Sequence, residues 1–239
     1  MRSPSFQDRL VVAGATGALG NEVLRLVAGL QLYRDVQVLA REPITAGLRG
    51  VGTHVVGDGP PGDWPVLAAD AAVVMFEPPR LFYQRERALW TPQAGELLPL
   101  ARWLRAGGVT TLAIVLPHTQ MRLPEALKRG LADLDEHAIA MLAFDRLLIV
   151  RSAQAPQAAA HRNVLQRIAH GMLAVGKYMV PSSEQPVRAV KVAQFVAHAL
   201  RLAPPGIHVA ASETVWQAAQ GDVGAAVAAW LDGKIPSTP

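Results

Sequence analysis

The chain has 239 residues, 51% of them hydrophobic and 18% charged, enough to bury the core of one large domain. It contains no cysteine, which excludes disulfides, thiolate catalysis and cysteine-ligated metals. The formal net charge is +4 with the basic residues scattered, and no apolar stretch reaches membrane-spanning length. These properties predict a soluble cytoplasmic protein that engages neither nucleic acid nor a membrane.

Short apolar runs alternate with helix-period stretches over the first part of the chain. The predicted strands are Arg9–Ala13, Val36–Ala40, His54–Val56, Ala71–Phe76, Thr111–Leu116 and Leu147–Val150. Between them fall the predicted helices Leu19–Leu30, Pro92–Ala106 and Ala126–Ala143. In the first helix Leu19, Val23, Leu24, Val27 and Leu30 share one face. Thr91-Pro92 reads as a helix start, because proline suits the first turn. Val- and Ile-rich strands separated by helices imply a parallel sheet covered on both faces. Beyond residue 150 two more helices, about Asn163–Val175 and Val190–Leu202, precede a strand at Ile207–Ala210. The expected fold class is therefore α/β: a Rossmann-like doubly wound parallel sheet. Residues 1–239 form one domain, with 151–239 contributing a small C-terminal helical cap over the sheet's carboxyl edge. Apolar helices such as Pro92–Ala106 could seal a homodimer or simply cover the sheet.

The stretch "RLVVAGATGALGNEVLRLVAGL" carries the most information. A strand runs into Gly14-Ala15-Thr16-Gly17-Ala18-Leu19-Gly20, and a helix follows. Gly14 allows the tight turn, Gly17 lets main-chain amides approach a pyrophosphate, and Gly20 lets the helix lie close on the strand. The helix N-terminus adds free donors and partial positive charge. The ligand expected from this pattern is a small-molecule dinucleotide. After the second strand comes Arg41, suited to a ribose 2′-phosphate, so NADP is favoured over NAD. A charge-assisted bond of roughly 1.5–3 kcal/mol is worth about ten- to a hundredfold in affinity. Asp58, after the third strand, could accept from the adenine amino group or simply shape an Asp-Gly turn. Phe76 and Glu77, after the fourth strand, and Pro117, after the fifth, should border the cofactor crevice. Glu77 reads either as a buried acid with a raised pKa or as a solvated or Arg80-paired carboxylate.

In this order, "VVAGATGALGNEVLRLV", "VLARE" and "VVGD" resemble the atypical branch of the short-chain dehydrogenase/reductase superfamily. The later segments "FDRLLIVRS", "PVRAVKVAQFVAHAL" and "GIHV" are similar to its Tat-interacting oxidoreductase-like group. The resemblance implies a Rossmann fold, NADP(H), and often a Ser, a Tyr and a Lys that carry hydride transfer. The triad is missing here. No Tyr-x-x-x-Lys follows any of Tyr33, Tyr83 and Tyr178; the family spacing places the Tyr and Lys near Lys128 and Ala132, and the Ser near Leu116-Pro117. General acid catalysis is worth about 10²–10⁴-fold, so a carbonyl beside the cofactor would react poorly without a substitute.

His118 is the first candidate for that acid, since it follows the fifth strand and the ordinary pKa of a histidine can lie near neutrality. The alternative is an ordinary loop histidine. In "RLFYQRERALW", Arg80, Arg85 and Arg87 could meet an anionic substrate under an aromatic lid, or the stretch could be an amphipathic surface helix. His161 and His170 lack a clear third ligand, so no metal is expected. Two functions are compatible with these residues: an oxidoreductase with a non-standard active site, and a non-catalytic dinucleotide sensor or scaffold of the NmrA-like kind.

Overall fold

A computed structural model describes residues 9–44, 50–80, 83–117, 136–152 and 187–234. Seven parallel strands are β1 Arg9–Ala13, β2 Asp35–Ala40, β3 Val51–Val55, β4 Ala71–Met75, β5 Thr111–Leu116, β6 Arg146–Arg151 and β7 Gly206–Ala210. Their order is β3-β2-β1-β4-β5-β6-β7, with the order reversing between β1 and β4. In a Rossmann-like sheet the ligand crevice opens at that switch point, beyond the strands' carboxyl ends.

The helices are α1 Gly17–Gly29, α2 Gln84–Ala88, α3 Leu97–Ala106, α4 Glu136–Ala140, α5 Ala189–Leu202, α6 Ser212–Ala219 and α7 Val223–Leu231. Alternation along the strands feeds two core layers. Val12, Val38, Val73, Val115 and Val150 face α1 and the C-terminal helices, meeting Val23, Val27, Phe195, Val196 and Val227. Val11, Val74, Ile114 and Ile149 face the other way, onto Leu97, Leu100 and Leu104 of α3 and onto Trp64, Trp90 and Trp103. β4 and β5 are buried along their whole length, which is why they read as unbroken apolar runs.

Most boundaries agree with the sequence, and the departures have physical causes. β3 starts three residues before the predicted His54 because it is a half-exposed edge strand with little apolar signal. α3 begins at Leu97, after a short turn at Ala94–Glu96, and not at Pro92. The Gln93 amide donates to Glu96 Oε2 at 2.7 Å, a reciprocal cap that sets the start. Of the helix expected at Ala126–Ala143, the described residues contain α4; the helix expected at Asn163–Val175 lies outside them. α5, α6 and α7 pack on the face of the sheet beside α1, and β7 extends the sheet itself. No helix among the described residues is long and apolar enough to cross a membrane.

Candidate functional site

The glycine turn has the backbone its sequence requires. Gly14 and Gly17 sit at φ +72° and +69°, the left-handed region. A Cβ on Gly20 would stand 2.7 Å from the Gly14 carbonyl oxygen, so the start of α1 could not close on the turn with any larger residue. Ala15 and Thr16 are buried between these glycines. Thr16 occupies the N-cap of α1 but makes no cap bond. Its hydroxyl is turned to the Glu77 carbonyl oxygen and to Thr91 Oγ1.

The amides that open α1 therefore need other acceptors, and two glutamates from distant parts of the chain supply them. The Leu19 amide donates to Glu77 Oε2 at 2.7 Å, and the Ala18 amide also bonds the Glu77 carboxylate. The Gly17 amide donates to Glu86 Oε2 at 3.1 Å. Asn21 Nδ2, one turn into the helix, donates to Glu86 Oε1 at 2.8 Å. Both carboxylates are buried, and a Cβ on Gly17 would fall 2.2 Å from the Glu77 carboxyl carbon. The space above Gly17, where a pyrophosphate was expected, is filled by the Glu77 carboxyl group. Negative charge is favoured at a helix N-terminus by typically 0.3–1 kcal/mol, up to about 2 when partly buried.

Glu86 comes from α2, which folds back from the end of β4 across the carboxyl ends of β1 and β2. The Gly14 amide donates to the Trp90 carbonyl, the Trp90 amide to the Leu39 carbonyl, and the Arg41 amide to the Ala88 carbonyl. Ala40 and Leu89 form a single antiparallel bridge. Arg80 locks the segment: its amide donates to Glu86 Oε2 and its Nε to Glu86 Oε1, both at 2.8 Å, with a second guanidinium nitrogen also on Oε1. Arg80 lies over the exposed Tyr83 ring, 3.8 Å from its centroid. The cleft left beside this segment, bordered by Ala15, Asn21, Val38, Thr53 and Arg85, measures about 30 Å³. Small-molecule pockets run to roughly 300–1,000 Å³. The donor set of the loop thus fits a phosphate, whereas the cleft beside it, as bordered by the described residues, is far smaller than a dinucleotide needs.

The two carboxylates are pushed in opposite directions. Burial raises the Glu77 pKa, and the nearby Glu86 charge adds to that; the Leu19 and Ala18 amides and Arg80 only partly offset it. Burial would raise Glu86 as well, but the Arg80 side chain, the Arg80 and Gly17 amides and the Arg80 charge outweigh it and hold Glu86 below its usual range. Glu77 is buried and its pKa is pushed up by that burial, as in the first of its two readings, while Arg80 bonds Glu86. A raised folded-state pKa gives stability that is full below the ordinary value of 4.5 and is lost as pH rises through the folded value. Glu77→Gln, which keeps an acceptor oxygen but no charge, should therefore gain stability relative to the parent on going from pH 4 to pH 8. Urea midpoints at both pH values check this, and an equal difference at each would mean that folding does not raise the Glu77 pKa.

The other predicted residues spread around this centre. Arg41 and Asp58 are exposed beyond β2 and β3. Phe76 is 1% exposed, its ring spent in the α3-side core, and Pro117 is buried at the end of β5. His118 and Lys128 lie outside the described residues. Trp90, a candidate lid residue, is instead core, edge-on to Trp64 with ring centroids 5.0 Å apart. Tyr33 is buried and its pKa is pushed up to about 12, mainly by desolvation, so it serves the core and not proton transfer. No three metal-ligating side chains cluster among the described residues. The residue that sequence reasoning missed is Glu86. Its only signal was a lone carboxylate set among three arginines and flanked by aromatics.

No family model and no curated protein sequence matches the chain. Among solved structures, a nucleoside-diphosphate-sugar epimerase from Staphylococcus aureus is similar over 97% of this chain and 92% of its own, at 12% identity and a TM-score of 0.53. UDP-glucose 4-epimerase from Brucella ovis, in complex with NAD, is similar over 86% of this chain and 77% of its own, with 14% identity and a TM-score of 0.46. The enzyme WbmH from Bordetella bronchiseptica, in complex with NAD+, covers 98% and 84% at 12% identity and a TM-score of 0.47. The chain has the Rossmann-like fold of the Staphylococcus aureus protein.

Proposed function

We propose that this protein is a dinucleotide-binding sensor or scaffold of the atypical short-chain dehydrogenase/reductase type, with NADP(H) as its preferred ligand. The observation that carries the reading is the convergence of the first amides of α1 on the Glu77 and Glu86 carboxyl groups, which supports an anion site at the glycine loop. Arg41, exposed at the end of β2, would read the 2′-phosphate. Turnover is disfavoured by residue chemistry. The sequence has no Tyr-x-x-x-Lys, and the buried Pro117 stands where the family places a serine.

Titration with NADPH and NADH, followed by nicotinamide fluorescence, tests this. NADPH should bind the more tightly, and Arg41→Ala should weaken NADPH about ten- to a hundredfold while leaving NADH nearly unchanged. Equal losses would remove Arg41 from the 2′-phosphate. Aldehydes, ketones and quinones should not oxidise bound NADPH. Turnover of any of them would favour the oxidoreductase reading, with His118 as proton donor, and His118→Ala should then abolish it.

Two observations favour a second reading. The 30 Å³ cleft and the absence of unpartnered buried polar side-chain atoms among the described residues suit a chain that keeps the fold and binds no nucleotide. Failure to bind NADPH or NADH in any form of the protein would establish it.

A further inference from the structure

We infer that β7 is a self-complementary edge through which two copies of this chain pair antiparallel, joining their sheets into one. The inference goes beyond the dinucleotide-binding reading and does not depend on it.

β7 ends the sheet. It pairs with β6 on one side, and no strand among the described residues lies on the other. An edge strand presents unpaired N–H and C=O groups, and proteins that stay single guard such edges with charges, prolines or bulges. Gly206–Ala210 reads GIHVA, in unbroken register with β6, and has none of these. Ile207 is 57% exposed and Val209 45%. They lie beside Leu147 and Ile149 of β6, which are both buried. The apolar cover on that face therefore stops one strand short of the edge. On the opposite face the Trp230 ring of α7 stands edge-on to His208, with centroids 6.1 Å apart. None of the nine residues of α7 is charged, yet Ala225 and Ala228 face solvent. A helix that is apolar all round is suited to cover on more than one side.

The order of residues in the strand selects the occupant. Gly206 and Ala210 are small, Ile207 and Val209 are β-branched, and His208 is central. A two-fold axis at His208 sets all five residues against five. Gly206 then faces Ala210 of the second copy, Ile207 faces Val209, and His208 faces itself. A closed contact between identical chains requires this symmetry. The four β-branched side chains fall on one face of the joined sheet, and opposed β-branched pairs are favourable there. Neither β7 nor α7 contains an Asp, Glu, Lys or Arg, so the two strands bring no such charges together. An unrelated strand would satisfy the main chain but not this side-chain register. The other apolar helix suited to a seam, α3, buries Leu97, Leu100 and Leu104 against its own sheet.

The state of association in solution tests the inference. By sedimentation equilibrium the parent should be a dimer. Val209→Lys, which puts a charge on the exposed edge, should be a monomer with the parent's far-ultraviolet circular dichroism. Val66→Lys, at a 68% exposed valine in the loop before β4, should remain a dimer. A monomeric parent, or the same state for both lysine variants, would overturn the inference. The absence of native cysteine allows the register to be checked separately. Directly opposed residues of antiparallel strands have Cα atoms about 4.5–5.5 Å apart, within reach of a disulfide. Ile207→Cys mixed with Val209→Cys should oxidise to a covalent dimer on a non-reducing gel, and neither variant alone should do so. No cross-link in the mixture, or equal cross-linking of one variant by itself, would overturn the pairing.

Discussion

Gly14→Ala is expected to cost the protein about 4 kcal/mol or more, the largest effect of any single methyl at the crossover. Two penalties combine. Gly14 sits at φ +72°, where a side chain costs roughly 1–2 kcal/mol. The added Cβ would also lie 2.0 Å from the Met75 carbonyl oxygen and 2.8 Å from its carbonyl carbon. Those atoms belong to β4, which pairs with β1 through Ala13 and Val74 one residue earlier, so they cannot move without opening the centre of the sheet. Costs above about 4 kcal/mol are exceptional and belong to this class of backbone conflict. Gly17→Ala is the useful contrast. It has nearly the same φ, but its Cβ would strike the Glu77 carboxylate, a movable side chain. It should cost about 1–2 kcal/mol for the backbone and expel Glu77 from the loop. Urea unfolding of both variants checks the ranking; a Gly14→Ala midpoint close to that of Gly17→Ala would mean β4 yields more easily than its burial implies.

Glu86→Ala is expected to cost about 3 kcal/mol. It would leave the Gly17 amide, the Arg80 amide and Asn21 Nδ2 facing a void, and Arg80 without its carboxylate. Removing one partner of a buried pair costs about 3–5 kcal/mol; the lower end applies because the Arg80 side chain is 41% exposed and can turn to water. Glu86→Gln should cost less, since an acceptor oxygen remains for the Gly17 amide. The pH dependence has a definite sign. Glu86 is held below its ordinary pKa, so its contribution is present above 4.5 and is lost as pH falls through the folded value. Glu86→Ala should therefore lie closer to the parent in strong acid than at pH 7. Urea midpoints from pH 2 to pH 7 would show this, and a constant gap across that range would mean that the carboxylate's charge contributes nothing.

The sequence by itself determined the sheet and the loop conformation. Buried strands such as Ala71–Met75 and Thr111–Leu116 are legible because both of their faces must be apolar. Gly14, Gly17 and Gly20 are legible because only glycine tolerates those dihedrals and close approaches. Local rules were weaker where burial is partial, as at the edge strand Val51–Val55, and where a reciprocal cap moved the start of α3. What only the tertiary structure decided is the partner of the loop. Spacing shows that the first amides of α1 need an oxyanion, but not whether a ligand or the protein supplies it. Glu77 and Glu86 reach the loop because β4 lies beside β1 and the chain after it turns back over β2, a pairing between residues about sixty or more positions apart. An anion site is written locally in the backbone; its occupant is set by chain topology, which no local pattern encodes.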